Sequence, residues 1–279
     1  MTSTTMFTAD DGTALARHEL GQGEPLVCLP GGPMSASSYL GDLGGLSADR
    51  RLVMLDLRGT GDSAVPEDTS TYRCDRLVPD VEALRRHLGL ERLDLLAHSA
   101  GANLAVLYTA RHPERVRSLT LVTPSVFAVG LMPSGEQRRE FAILRKDEPW
   151  FAAAYAALVN ITEGRGGPGD WPAIAPFSWG RWDDAARARV AAEDALRNDD
   201  AARLYGQDAF DPPSTRAALG DFEGPVRVLA GEYDMGAMPE VVREMAGLFP
   251  RGVMAVQQGA GHFPWLDDPQ AFLRFMRES

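Results

Sequence analysis

A serine stands where a short apolar run changes abruptly to small residues, in Ala97-His98-Ser99-Ala100-Gly101. A strand that ends at Ala97 and a helix that begins after Ser99 leave room for one tight turn, which projects the serine hydroxyl beyond the sheet edge. The flanking residues must be small, because the strand and helix backbones pass close together there. Ser99 is therefore the candidate nucleophile. The alternative is that Ser99 only caps the helix.

Two downstream segments supply an acid and a histidine in the chain order that such a serine requires. An apolar run at residues 226–230 predicts a strand, and Asp234 follows its carboxyl end. His262 lies in a glycine-rich loop after the last predicted strand, where packing alone explains a histidine poorly. A neutral imidazole can take the proton of a serine hydroxyl, and a carboxylate holds the imidazole in the required tautomer. We assign Ser99 as nucleophile, His262 as general base and then acid, and Asp234 as the orienting acid.

A glycine-rich loop, Pro30-Gly31-Gly32-Pro33, follows the apolar run at residues 26–29. Without side chains, the backbone of such a loop can approach a substrate closely. In acyl transfer, two backbone N–H groups hold the developing oxyanion, and one of them belongs to the residue after the nucleophile. We expect Ala100 and Gly32 to supply these donors, with Gly31 as the neighbour most easily confused with Gly32.

With these residues in hand, the chain resembles the α/β-hydrolase superfamily, and within it the proline iminopeptidase branch. The resemblance rests on residues 30–33, 55–63, 231–234 and 259–262. It departs from the branch at Pro30, where the family has histidine, and at Ala97 and His98, where the peptidases usually have two glycines. The resemblance implies hydrolysis by a serine nucleophile.

The same resemblance implies that a free α-amine of the substrate is held by cap glutamates or by an acid directly after the catalytic aspartate. The latter position is Met235 in this chain. No acid of the middle segment aligns with the family's amine site, and most of these acids are expected to be solvated. We therefore expect a preference for apolar acyl groups and only modest dependence on a free amine.

Strands and helices alternate along most of the chain, which predicts a mostly parallel, doubly wound sheet of the α/β-hydrolase fold. The predicted strands lie at 52–55, 93–97, 119–122, 226–230 and 253–257, and the predicted helices at 77–88, 102–111, 239–249 and 269–277. Residues 1–20 predict an antiparallel hairpin. The alternation stops between residues 125 and 219, where alanine-rich helical segments predict an inserted helical cap. The predicted core domain comprises residues 1–124 and 220–279.

The middle segment is unusually aromatic, and some of its tryptophans are candidates for the walls of an apolar pocket. We expect six residues to contact the substrate: Gly31, Trp150, Trp179, Trp182, Met235 and Phe263. The alternative for the tryptophans is that they only pack the helices of the segment. Asp56 and Arg58 are expected to form a charged pair that ties loops together.

Composition excludes several function classes. The net charge of −11 argues against nucleic-acid binding, which needs a basic face. The chain has no run of eighteen apolar residues and no basic, apolar leader segment, so we expect neither a membrane span nor export. With two cysteines outside any motif spacing, the expected location is a reducing cytoplasm. We expect no cofactor, no metal, and a monomer or small homo-oligomer acting on a small molecule.

Three functions remain open at this point. The first is a serine hydrolase that cleaves an ester or amide bond of a small, largely apolar substrate, with an N-terminal aminoacyl group among the candidates. The second is a thioesterase, a C–C bond hydrolase or a tailoring enzyme on the same scaffold. The third is a non-catalytic ligand-binding protein, which fold alone does not exclude.

Overall fold

One twisted sheet organises the molecule. The computed structural model describes residues 3–278, apart from the side chain of Asp194, so residues 1, 2 and 279 of the predicted core domain lie outside the described residues. Within that range eight strands follow the order β1-β2-β4-β3-β5-β6-β7-β8. Their bounds are β1 Ser3–Thr8, β2 Ala14–Leu20, β3 Pro25–Leu29, β4 Arg51–Leu55, β5 Leu93–His98, β6 Val116–Val122, β7 Val226–Gly231 and β8 Gly252–Gln257. Strand β2 pairs antiparallel with β1 and β4, and the other neighbours are parallel.

Helices cover both faces of the sheet. Their bounds are α1 Val78–His87, α2 Gly101–Arg111, α3 Gly135–Ala142, α4 Phe151–Thr162, α5 Asp170–Ala173, α6 Asp184–Glu193, α7 Asp199–Tyr205, α8 Pro212–Gly220, α9 Pro239–Ala246, α10 Pro264–Asp267 and α11 Pro269–Arg277. Successive strand side chains point to opposite faces. Val27 therefore joins the core beneath α1, α2 and α9, whereas Cys28 joins the core beneath α11.

The predicted fold is confirmed. Each predicted strand lies within an observed one, and the predicted lead-in hairpin is the antiparallel pair β1–β2. The predicted helices are also present, although α9 ends at Ala246, three residues before the predicted end. The central strands β3 to β7 were predictable because a strand buried on both faces is a continuous apolar run, which sequence shows directly.

Helices α3 to α8 form an insertion between β6 and β7, where the sequence predicted a helical cap of residues 125–219. Part of it packs in a separate small cluster, in which Leu158 and Phe177 contact Met235 of the loop after β7. Helices α7 and α8 pack elsewhere: Tyr205 of α7 and Leu219 of α8 join the core beneath α1, α2 and α9. The end of the insertion is thus anchored on the sheet layer.

Asp56 and Arg58 do not pair with each other, contrary to the prediction. The Asp56 carboxylate accepts hydrogen bonds from the Ser37 backbone N–H at 2.8 Å and from the Ser37 hydroxyl at 2.7 Å. Arg58 donates from Nε to the Asp80 carboxylate of α1 at 2.8 Å. Both side chains are buried. The expected pair is absent because each buried charge has closer partners on other elements.

Cys28 and Cys74 are buried free thiols. Burial raises the pKa of each thiol to about 12, so both are held in the neutral form. Among the helices of residues 3–278, none combines the length and the apolar composition that crossing a membrane requires.

Candidate active site

Ser99 lies on a strained turn between β5 and α2. Its φ is +52°, a left-handed backbone conformation that is uncommon for residues other than glycine and concentrates at functional sites. The Ser99 N–H donates to the Val122 carbonyl at 3.1 Å, and the Ser99 carbonyl accepts from the Ser125 N–H at 2.9 Å. A Cβ on Gly101 would lie 2.5 Å from the Leu29 carbonyl oxygen. Only a small residue therefore fits after this turn, as the sequence indicates.

The structure brings the three residues of the predicted triad together. Nε2 of His262 lies 2.8 Å from Oγ of Ser99, and Nδ1 of His262 lies 2.6 Å from Oδ2 of Asp234. Asp234 follows β7, is fully buried, and also accepts the Gly236 N–H at 2.8 Å. In the arrangement in which the His262 Nδ1–H donates to the Asp234 side chain, the Nε2 lone pair accepts a hydrogen bond from the Ser99 hydroxyl.

The charge state of His262 is set by opposing effects. Burial disfavours the imidazolium, but the charge and hydrogen bond of Asp234, together with the charge of Glu193, outweigh this effect. The pKa of His262 is therefore above its ordinary value. Asp234 thus stabilises an imidazolium at His262.

The loop after β3 lies directly against the Ser99 turn. A Cβ on Gly31 would lie 2.7 Å from Cβ of Ser99 and 3.2 Å from the backbone nitrogen of Ala100. Glycine is therefore required for this approach. The Gly31 N–H donates to the Tyr39 hydroxyl at 2.7 Å, whereas Gly32, with φ of +116°, lines the adjoining cavity.

A cavity of about 130 Å³ opens beside Ser99 and His262. A dry cavity of comparable volume is known to hold one benzene ring, so this space suits a group of that size. Tyr39 and Phe263 form part of its aromatic wall. Glu193, Leu196 and Arg197 of the helical insertion also line it. Across residues 3–278, no cluster of three histidine, cysteine or acidic side chains is placed to hold a metal ion.

Only one of the six expected contact residues, Phe263, lines this cavity. Trp179 lies behind it and stacks on the Phe263 ring with centroids 4.8 Å apart. Trp182 is partly buried against the second sheet core and has the Arg187 guanidinium over its ring. Gly31 lies under Ser99, as described above. Trp179 therefore supports the cavity wall from behind, whereas Trp182 packs against the sheet core.

Trp150 and Met235 also differ from the expectation. Trp150 packs edge-on against Phe177 with centroids 5.1 Å apart, and Met235 lies in the same small core. The Met235 N–H donates to the Phe177 carbonyl at 3.2 Å. Trp150 packs inside the insertion and Met235 joins the insertion to the loop after β7, so neither residue lines the cavity beside Ser99.

The cavity-lining residues Glu193, Leu196 and Arg197 were missed because a distant backbone pairing places them. The Ala36 N–H donates to the Leu196 carbonyl at 2.8 Å, and the Asn198 N–H donates to the Met34 carbonyl at 2.9 Å. The chain after α6 thereby runs along the glycine loop. No local sequence pattern predicts this backbone pairing, because residues 34–36 and 196–198 are far apart in sequence.

Comparisons with known proteins show the family to which this chain belongs. The profile of the alpha/beta hydrolase fold family matches residues 24–269. The chain belongs to that family. A proline iminopeptidase from Heyndrickxia coagulans is 36% identical over 110 residues, which span 39% of this chain but only 38% of that relative. A putative 2-succinyl-6-hydroxy-2,4-cyclohexadiene-1-carboxylate synthase from Bacillus subtilis is 27% identical over 99% of this chain and 97% of its own.

Solved structures show the same fold. The proline iminopeptidase of Mycobacterium smegmatis superimposes with a TM-score of 0.73 at 23% identity, covering 98% of this chain and 96% of that one. At this level of identity the likeness concerns the fold. The family and its relatives include hydrolases, and the resemblance read from the motifs is confirmed at that level.

Proposed function

We propose that this chain is a serine hydrolase that cleaves an ester or amide bond of a small substrate. The observation that carries the proposal is the hydrogen-bonded series Ser99–His262–Asp234, with Nε2 of His262 2.8 Å from the Ser99 hydroxyl. Ser99 attacks the acyl carbon while His262 takes its proton, and His262 then protonates the leaving group. A water activated by His262 releases the acyl group from Ser99.

The oxyanion of the tetrahedral intermediate is assigned to the N–H groups of Ala100 and Gly32. Ala100 follows the nucleophile, and its nitrogen lies beside the loop that Gly31 brings against Ser99. The bond from Gly31 to Tyr39 favours Gly32 over Gly31 as the second donor. Gly32 also lines the cavity in which the oxyanion would develop.

A narrower candidate is the hydrolysis of an N-terminal aminoacyl group with a free amine. Glu193 favours it, because this acid lines the cavity and its charge acts on His262. A buried ammonium needs a paired carboxylate to offset several kcal/mol of desolvation. Residues 125–219 would then serve as a cap that supplies specificity. The sequence predicted only modest amine dependence, because the middle segment is aromatic, position 235 is methionine and no acid of that segment aligned with the family's amine site; Glu193 at the cavity favours stronger dependence.

Reactivity with a fluorophosphonate probe tests the general proposal. The wild-type protein should be labelled at Ser99 and should hydrolyse members of a panel of acyl esters, thioesters and aminoacyl amides. Ser99→Ala should lose the label and the turnover. Absence of labelling in the wild type would favour a ligand-binding protein. Cleavage of a carbon–carbon bond without hydrolysis of any acyl compound would favour a C–C bond hydrolase or tailoring enzyme.

The aminoacyl candidate is tested with proline β-naphthylamide and its N-acetyl derivative. Acetylation should lower kcat/KM by about a hundredfold or more in the wild type if Glu193 holds the amine. Glu193→Gln should remove most of that difference. Asp184→Asn is the matched control, because Asp184 lies on the same helix with its side chain fully exposed. An equal preference in wild type and Glu193→Gln would reject Glu193 as the amine site.

A further inference from the structure

A series of hydrogen bonds runs behind Ser99 through two side chains that the proposed chemistry does not use. The Tyr39 hydroxyl lies 2.7 Å from the Gly31 nitrogen and 2.7 Å from Nδ1 of His98. Nε2 of His98 lies 2.8 Å from the backbone carbonyl oxygen of His262. The series therefore joins the glycine loop on one side of the nucleophile to the catalytic histidine on the other.

Each bond in this series has one possible direction. A carbonyl oxygen only accepts, so the proton of His98 must be on Nε2. Burial, with repulsion from His262, lowers the pKa of His98 well below its ordinary value, so the ring is neutral. Nδ1 of His98 then accepts from the Tyr39 hydroxyl. The Tyr39 oxygen in turn accepts from the Gly31 N–H.

We propose that Tyr39 and His98 are positioning residues that hold the oxyanion loop and the backbone of His262 in register with Ser99. The inference rests on the proposed serine hydrolase function. His98 is the last residue of β5, so its ring projects from a rigid element immediately before the nucleophile. We call this series of hydrogen bonds the Tyr39–His98 relay. Its loss lets the oxyanion donors and the imidazole of His262 shift independently, and misplacement by about 1 Å can lower the rate about a hundredfold.

Other contacts limit what the relay does. The His262 carbonyl also accepts from the Thr123 hydroxyl at 2.9 Å, and the His262 N–H donates to the Ser178 carbonyl at 2.7 Å. The His262 backbone therefore keeps two supports when His98 is changed. The Gly31 N–H, in contrast, has Tyr39 as the partner seen here. We expect loss of the Tyr39 hydroxyl to act mainly on the oxyanion loop.

The first test compares Tyr39→Phe with Tyr108→Phe. Tyr108 is a buried tyrosine of α2 whose hydroxyl donates to Glu82 at 2.8 Å, so both variants lose one hydrogen-bonded tyrosine hydroxyl. Tyr39→Phe should lower kcat and the rate of fluorophosphonate labelling by about 10- to 100-fold, with KM changed by less than about 2-fold. Tyr108→Phe should leave kcat within about 2-fold of wild type at a similar loss of Tm. Equal kcat in the two variants, or an effect of Tyr39→Phe confined to KM, would overturn the proposal.

The second test compares His98→Gln with His98→Leu. The glutamine amide can still donate to the His262 carbonyl, whereas leucine fills the space without a polar atom. His98→Gln should therefore keep a kcat at least about 5-fold higher than that of His98→Leu. If His98→Leu does not fold, the Tyr39→Phe comparison decides the question. If only the relay proposal is wrong, Ser99→Ala still loses activity. If the proposed serine hydrolase function is wrong, Ser99→Ala stays active, so the two outcomes are distinguishable.

Discussion

A methyl group placed on Gly31 would lie 2.7 Å from Cβ of Ser99 and 2.9 Å from the carbonyl oxygen of His98. Both distances are shorter than any normal carbon contact, so the loop would have to move away from the nucleophile. Gly31→Ala should therefore displace the oxyanion donors and lower kcat by about 10²- to 10³-fold. Steady-state kinetics on an ester measure this effect.

Gly220→Ala is the matched control for that change. Gly220 is the last residue of α8, and an added Cβ there meets no atom within 4 Å. The same substitution should leave kcat and KM unchanged. Full activity of Gly31→Ala, measured beside this control, would contradict the close approach of the loop to Ser99.

Ser99 and His262 should act as one catalytic unit. Ser99→Ala removes the nucleophile and His262→Ala removes the base, so each should lower turnover by about 10⁴-fold or more while the fold is retained. The double variant should lose little beyond either single change, because each change alone already disables proton transfer to and from the nucleophile. Fully multiplicative losses would show that the two residues act in separate steps.

The sheet and the candidate site were predictable to different extents. Ser99, Asp234 and His262 follow the strands β5, β7 and β8, and the carboxyl ends of parallel strands meet at one sheet edge. Their convergence therefore follows from topology that apolar runs reveal. Gly31 and Gly32 were predictable for the same reason, since they follow β3.

The walls of the cavity could not be predicted in this way. Glu193 reaches the site because residues after it pair with the backbone near Met34, and backbone pairing carries no side-chain signature. Trp150 and Trp182 were expected at the cavity, but aromatic residues are equally suited to packing helices together. Arg58 pairs with Asp80 and not with Asp56, which is nearer in sequence. Arg58 and Asp80 are both buried, and a buried charge needs a direct partner of opposite charge.

The buried pair Arg58–Asp80 provides a stability prediction. Nε of Arg58 donates to the Asp80 carboxylate at 2.8 Å, and the two side chains are 3% and 1% exposed. Asp80→Asn removes the charge that compensates a buried guanidinium, which should lower the free energy of unfolding by about 3 kcal/mol. Urea denaturation followed by circular dichroism measures this loss.

Asp184→Asn is the control for the buried pair. Asp184 pairs with Arg187 on the surface, and its side chain is fully exposed. Solvent screens such a pair, so the urea midpoint should not change measurably. Equal midpoints for Asp80→Asn and the wild type would show that Asp11, which also contacts Arg58, suffices to compensate the guanidinium.

The pH dependence of activity should report the charge around His262. The base must be neutral to accept the Ser99 proton, so kcat/KM rises with pH as His262 loses its proton. Because Asp234 and Glu193 raise the pKa of His262, this rise should lie above the range of an ordinary histidine.

Glu193→Gln removes one of the charges that favour the imidazolium, so the rise should move to lower pH. An ester without an amine should be the substrate, since substrate binding then does not depend on Glu193. On the acid side of the profile the variant should be faster than the wild type, and Asp184→Asn should leave the profile in place. A rise at unchanged pH in Glu193→Gln would show that this carboxylate does not act on the catalytic histidine.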